Sequence, residues 1–188
     1  MKKHARTIVI DRDEVVHETA YTRMVVRHYT DTAGTPHVWE MIALNTRGPA
    51  SVIAAITADR QIILERTYRI PLRTEVIELP GGCDDIGGES GAQIAARELR
   101  EETGFEVGSI EFLTHVTTDP GCTDSSANLF LGLDAEKKAN VALGPAEIIT
   151  TVLVPLDTLF EYLAHSDAPV DPKVWVAYAF LKERRLIS

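Results

Sequence analysis

The chain has 188 residues, 45% apolar and 25% charged, which is ordinary globular composition and enough for one domain or a domain with a small appendage. The formal net charge is −9, from 28 acidic and 19 basic side chains, and this balance disfavours non-specific binding to nucleic acid or an anionic membrane. Two cysteines, Cys83 and Cys122, are too few for a disulfide framework, and no apolar run approaches a transmembrane span, so a cytoplasmic protein with no membrane or nucleic-acid partner is expected.

The basic opening, Met1 to Arg6, leads into Thr7–Ile10 and then Asp11, Arg12, Asp13 and Glu14, which breaks any signal-peptide core. Thr7–Asp11, Thr22–Tyr29 and Val38–Leu44 read as strands, with the turn cluster Asp31–Pro36 before the last. Residues 1–48 therefore predict a small antiparallel sheet domain, with Arg47-Gly48-Pro49 as the junction to a larger domain over 49–188. There, Ser51–Thr57 and Gln61–Tyr68 form a hairpin around Ala58-Asp59-Arg60. Glu75–Leu79 is a short strand stopped by Pro80-Gly81-Gly82, and a glycine-rich loop continues to Gly88. The clearest helix spans Gly91–Thr103, with Ser90 as N-cap, Gln93 completing a capping box and Gly104 placed as a C-terminal cap glycine. Strand-like runs follow at Ile110–Thr118, Ala127–Leu133 and Ile148–Val154. A short helix then runs from Pro155 to Ala164, and an amphipathic helix from Pro172 to Arg185. This is a mixed α/β order without regular βαβ winding.

On the Gly91–Thr103 helix, Glu98, Glu101 and Glu102 fall within about 100° of arc. Ala92, Ala95, Ala96, Leu99 and Thr103 form a separate small apolar stripe suited to packing on a sheet. Like charges at these spacings weaken a helix, so something must offset them. Arg97, four residues before Glu101, can pair with it, and a divalent metal would offset the rest. The bland alternative is a solvated acidic helix edge. The preceding glycine loop, ending at Glu89, favours the metal, because Mg²⁺ takes hard oxygen ligands and keeps room for waters and phosphate oxygens.

The segment Gly82 to Phe105 resembles the Nudix box, whose pattern is G-x5-E-x7-R-E-U-x-E-E-x-G-U with U a bulky apolar residue. Glu89 to Phe105 matches every fixed position, while the front half carries one extra residue between Gly82 and Glu89. The resemblance implies a Nudix α/β/α sandwich with a mixed sheet, plus the small N-terminal antiparallel β-domain, and hydrolysis of a diphosphate linkage with Mg²⁺, or Mn²⁺ in its place. It implies Glu98, Glu101 and Glu102 as metal-binding and base-positioning carboxylates, Glu89 as a support for the metals, and Gly81 or Gly82 as the source of a metal-facing carbonyl.

Glu65-Arg66-Thr67-Tyr68-Arg69-Ile70-Pro71 followed by Glu78-Leu79-Pro80-Gly81-Gly82 resembles the Q-Y-R-x-P … E-L-P-A-G signature of ADP-ribose pyrophosphatases and related nucleotide-sugar hydrolases. That resemblance implies that Arg69 reaches a substrate phosphate, with Glu78 beside it in the substrate site; the alternative is a surface cation. Asp119-Pro120-Gly121-Cys122-Thr123-Asp124 is similar to the S-P-G-x-[ST]-[DN] loop of that group, with Pro120 as a marker of the ADP-ribose branch. Many relatives place a glutamate after the Asp as base, but Ser125 stands there, which leaves Glu98, Asp124 and Glu147 as candidates in that order. The group also implies a homodimer, often with an exchanged N-terminal sheet, and an adenine contact at Trp39 and Glu40; Trp39 reads equally as a small-core residue. Two further readings stay open: a Nudix activity on another nucleotide, such as a triphosphate, dinucleoside polyphosphate or coenzyme, and a non-catalytic nucleotide sensor.

Overall fold

The computed structural model describes residues 7–187, so Met1 to Arg6 lie outside the described residues. The chain divides into two units. One holds the residues up to Thr46 together with Thr117–Ser126, and the other holds Arg47–Val116 and the chain from Ala127 onward.

The first unit is an antiparallel sheet of β1 (Val9–Glu18), β2 (Thr22–Thr30) and β3 (Pro36–Leu44), in that order. β1 runs seven residues beyond the expected end at Asp11, through a charged stretch with no apolar alternation. Cross-strand partners carry it. Arg27 donates twice to Asp13 at 2.8 Å, His28 Nε2 lies 3.1 Å from Glu14, and Thr30 Oγ1 donates to Asp11 at 2.9 Å. Exposed pairs of this kind fix register more than they add stability. The Asp31 carboxylate accepts the Ala33 and Thr35 N–H groups and closes the β2–β3 turn. The distant Thr117–Ser126 segment joins β3. Ile42 N–H donates to Cys122 O at 2.9 Å and Leu44 N–H to Asp124 Oδ1 at 3.0 Å.

The second unit contains β4 (Ala50–Thr57), β5 (Gln61–Arg69), β6 (Thr74–Glu78), β7 (Gly81–Gly82), α1 (Gly91–Thr103), β8 (Phe105–Glu106), β9 (Ser109–Thr117), β10 (Ser126–Lys137), β11 (Ile149–Pro155), α2 (Leu159–Ala164) and α3 (Pro172–Glu183). The strand order is β11-β5-β4-β10-β8, with β6 beside β5, β7 beside β4 and β9 beside β10. β4 and β10 run parallel while β5 is antiparallel to β4, β6 and β11, so the sheet is mixed.

Successive residues of a strand face opposite sides, and β4 is buried on both. Val52, Ala54 and Ile56 pack with Leu129 and Leu131 against Leu159, Leu163, Val174, Ala177 and Leu181 of α2 and α3. Ile53, Ala55 and Ile63 pack with Phe130 against Ala95 and Leu99 of α1. Helices therefore cover both faces, which is the expected α/β/α sandwich. Ile94 is buried on α1, whereas Ala92 and Ala96 of the expected stripe are only half-buried.

The ends of α1 match the sequence reading. Ser90 and Gln93 form the reciprocal capping box, and Gly104 ends the helix at φ 76°, where an added Cβ would strike Ala139 O. α3 starts at Pro172 behind the Asp171 cap and ends at Glu183, two residues short of expectation, because Arg185 takes a left-handed conformation at φ 58°. Among the described residues no helix is long and apolar enough to cross a membrane.

Candidate active site

The site starts from two glycines. β7 lays Gly81 and Gly82 against Val52 and Ser51 of β4. A Cβ on Gly81 would overlap Ser51 O and Val52, and one on Gly82 would overlap the Glu98 carboxylate. Only glycine lets this backbone lie between β4 and α1. The Gly81 N–H then donates to Glu102 Oε2 at 2.9 Å.

Arg97 is the hub on the other side of the helix edge. Its Nε donates to both Glu89 oxygens at 3.2 and 3.1 Å, its Nη1 to Glu98 Oε1 at 2.8 Å and Glu101 Oε2 at 3.1 Å, and its Nη2 to Cys83 O at 3.1 Å. Sequence reasoning paired Arg97 with Glu101. The guanidinium instead spans three carboxylates and the loop carbonyl.

The three helix glutamates consequently divide. Glu98 and Glu102 line a cavity of about 230 Å³ with Arg69, Gly82, Asp85 and Glu147. Glu101 and Glu89 stay on Arg97, with Glu101 about half exposed. Four carboxylates thus share the cavity with Arg69 as its lining cation. Arg69 is itself engaged, because Nε and Nη2 donate to the two oxygens of Glu78 at 2.6 and 2.5 Å. Burial raises the Glu98 pKa above the usual carboxylate range; Arg97 opposes this, and Glu101 and Asp85 add to it. Burial likewise raises Glu102, against the Gly81 N–H and helped by the charges of Glu98 and Glu147. Glu65 is 2% exposed, and its pKa is raised first by burial and then by the charges of Glu102 and Glu78.

Among the described residues no three carboxylate, imidazole or thiolate groups converge as a finished metal cage. Arg97 accounts for this, since it draws Glu89 and Glu101 to itself. The donor chemistry nevertheless fits a hard divalent cation: crowded, half-buried oxygens with too little positive charge, and space for waters and phosphate oxygens.

The first unit gathers other expected residues. Trp39, Pro120 and Asp124 line a cavity of about 330 Å³ with Arg27, Tyr29 and Met41. Trp39 is half exposed, and its Nε1 donates to Gly121 O at 2.9 Å. Glu40 follows Trp39 on β3, so strand alternation turns it to the opposite face. The two cysteines are poor nucleophiles. Burial raises Cys83 first, then Asp85 and Glu98, while Cys122 is raised by Asp119.

Sequence reasoning gave no role to Glu65, which opens the Tyr68–Arg69 signature segment, or to Asp85. For Glu65 a signal existed: Ile63, Glu65 and Thr67 share one face of a strand buried on both sides, and an acid there is anomalous. Asp85 enters the cavity through the longer loop, whose turn is closed by Asp84 accepting from Gly87 and Gly88 N–H at 2.6 and 2.8 Å.

The NUDIX domain model matches residues 46–176. A methanol dehydrogenase activator from Bacillus methanolicus is 30% identical over 167 residues, covering 88% of this chain and 89% of that protein. An ADP-ribose pyrophosphatase from Bacillus subtilis is 27% identical over 183 residues, covering 95% and 97%. A crystal structure of an ADP compounds hydrolase shares the fold, with a TM-score of 0.74 at 23% identity over 96% of this chain and 95% of that one. With the domain match spanning residues 46–176 and the glutamate helix set against the Gly81–Gly82 turn, the chain belongs to the Nudix family and is a Nudix pyrophosphohydrolase.

Proposed function

We propose that this enzyme hydrolyses the diphosphate linkage of ADP-ribose or a related nucleoside diphosphate sugar, giving a nucleoside monophosphate and a sugar phosphate, with Mg²⁺ as its metal and Mn²⁺ able to replace it. The observation that carries this reading is one cavity lined by Glu98, Glu102 and Arg69, whose guanidinium is held by Glu78. Similarity to an ADP-ribose pyrophosphatase along nearly the whole chain supports the substrate class.

Glu98, Glu102 and the carbonyl of Gly81 or Gly82 would hold the metal, with Glu89 and Glu101 acting through Arg97 or through water. When bound, such an ion supplies water activation and charge stabilisation on the departing phosphate. Arg69 binds a phosphate oxygen through Nη1, because Glu78 occupies its other two nitrogens and fixes the plane of the guanidinium. Glu98 takes the proton of the attacking water. Arg97 holds its Oε1, and burial makes the carboxylate a better proton acceptor than an exposed one. Asp124 and Glu147 are the alternatives. Each has one oxygen committed, to Leu44 N–H at 3.0 Å and Gly144 N–H at 2.6 Å. Trp39 and Pro120, which line one cavity of the first unit, are the candidates for the nucleoside contact, and Glu40, on the opposite face of β3, is not among them.

The enzyme is a homodimer built through the N-terminal sheet of β1, β2 and β3. All ten residues of β1 are exposed, Val9, Ile10, Val15 and Val16 among them, and apolar surface of that extent suits cover by a second copy. Its compartment is the cytoplasm, consistent with free Cys83 and Cys122.

The test is product analysis on a substrate panel with Mg²⁺. AMP and ribose 5-phosphate from ADP-ribose support the reading. Release of pyrophosphate from a nucleoside triphosphate, with nucleotide sugars untouched, would favour the second reading, for which Asp85 in the cavity through the longer loop is the relevant observation.

A further inference from the structure

β5 carries a hydroxyl that the proposed chemistry does not use. Alternate residues of a strand share a face, so Ile63, Thr67 and Arg69 point to the same side of the sheet. Ile63 belongs to one apolar cluster with Ala95 and Leu99 of α1. Farther along the strand that apolar contact ends and the cavity begins. Thr67 and Arg69 both line it, together with Glu98, Glu102 and Glu147.

The Thr67 hydroxyl serves no structural purpose there. Thr67 is 7% exposed, and its Oγ1 is buried with no hydrogen-bond partner. Its cross-strand neighbours are aliphatic, Val76 on β6 and Ile149 on β11. Valine has the same shape as threonine and suits a strand as well, and it would spare the fold an unsatisfied polar group. The carboxylates lining the cavity offer acceptors, yet none takes the Thr67 proton. An unpartnered donor in the wall of a cavity points to a partner that enters the cavity.

Arg69 indicates the chemistry of that partner. Glu78 occupies its Nε and Nη2 and leaves Nη1 for a ligand. Residues two apart on a strand stand about 7 Å from one another, so the hydroxyl and the guanidinium address neighbouring points along one wall. Both are donors, and phosphate oxygens are acceptors only. A hydroxyl hydrogen turns about its Cβ–O bond to suit the acceptor that arrives.

We propose that Thr67 is a further substrate-binding residue, whose hydroxyl donates to one oxygen of the substrate diphosphate while Arg69 Nη1 binds another. This rests on the reading that the cavity takes a nucleoside diphosphate sugar.

The test compares wild type, Thr67→Val and Thr67→Ser in three measurements: steady-state hydrolysis of ADP-ribose in Mg²⁺, calorimetric binding of its non-hydrolysable α,β-methylene analogue, and the unfolding midpoint. Thr67→Val is expected to raise KM and weaken analogue binding about tenfold. Its kcat changes little, because the bond is made in ground and transition states alike. Its midpoint stays at or above that of wild type. Thr67→Ser, which keeps the hydroxyl, restores most of the affinity. Wild-type KM and analogue affinity in Thr67→Val would overturn the proposal. So would a midpoint for Thr67→Val well below that of wild type, since the hydroxyl would then serve the fold. A Thr67→Ser variant that folds normally yet binds as weakly as Thr67→Val would overturn it as well. A wild type that neither cleaves ADP-ribose nor binds the analogue would instead overturn the substrate reading on which the proposal stands.

Discussion

Arg97 Nη1 lies 2.8 Å from Glu98 Oε1, while the same guanidinium reaches Glu89 and Glu101, so one cation serves three carboxylates. Removing it leaves those three carboxylates without their shared cation. Arg97→Ala is expected to lower kcat/KM about 100-fold and destabilise the protein by about 3 kcal/mol, as breaking a largely buried ion pair does. Arg97→Lys recovers little, because a single ammonium cannot span the three partners. Steady-state kinetics and urea unfolding of both variants check this.

Gly82 predicts a different separation of effects. An added Cβ meets the Glu98 carboxylate, the end of a side chain that can move. Gly82→Ala should therefore cut kcat about tenfold or more by displacing Glu98, with a small change in unfolding midpoint. At Gly81 the clash is with the backbone of Ser51 and Val52, so Gly81→Ala should destabilise the fold by about 2 kcal/mol or more.

The Arg69–Glu78 pair predicts a KM effect. Arg69→Ala would remove the proposed phosphate contact and leaves Glu78, 9% exposed, without its partner. KM for ADP-ribose is expected to rise about tenfold. Stability should fall by about 1–2 kcal/mol, less than for a fully buried pair, because Arg69 is half exposed. Glu78→Gln should share the KM defect if it is the carboxylate that sets the guanidinium plane.

The acid pair Glu65–Glu102 sets a pH dependence. Both pKa values are raised in the folded state above the ordinary 4.5. The folded form then holds protons that the unfolded chain releases, so this contribution to stability is full below that pH and is lost as pH rises through the raised values. In EDTA the unfolding midpoint should fall as the pH rises from about 5 to about 9. Added Mg²⁺ should offset the loss increasingly at the upper end, because metal binding favours the deprotonated carboxylates. In Glu65→Leu the slope in EDTA should flatten.

Local signals carried much of the fold. Ser90, Gln93 and Gly104 set both ends of α1 because capping is a matter of neighbours in sequence. The charged stretch of β1 escaped the sequence reading because its strand character comes from partners on β2, among them Arg27 and His28. That Thr117–Ser126 belongs with the first unit depends on bonds such as Leu44 to Asp124, across 80 positions, which no local pattern carries. The site was legible in its residue types, but its division was not. Glu98 and Glu102 face the cavity while Glu101 turns to Arg97, and this follows from where Gly81 and Cys83 place a donor and an acceptor. Trp39 and Glu40 are adjacent in sequence, yet strand alternation separates their faces.

The most direct test of the central claim is hydrolysis of ADP-ribose in Mg²⁺ by the wild type and by Glu102→Gln, which keeps the side-chain size and removes the charge a metal requires. Clear AMP production by the wild type is expected, with a fall of about 100-fold or more in the variant and an unfolding midpoint in EDTA no lower than that of wild type. Absence of turnover by the wild type in Mg²⁺ or Mn²⁺, or full activity in Glu102→Gln, would contradict it.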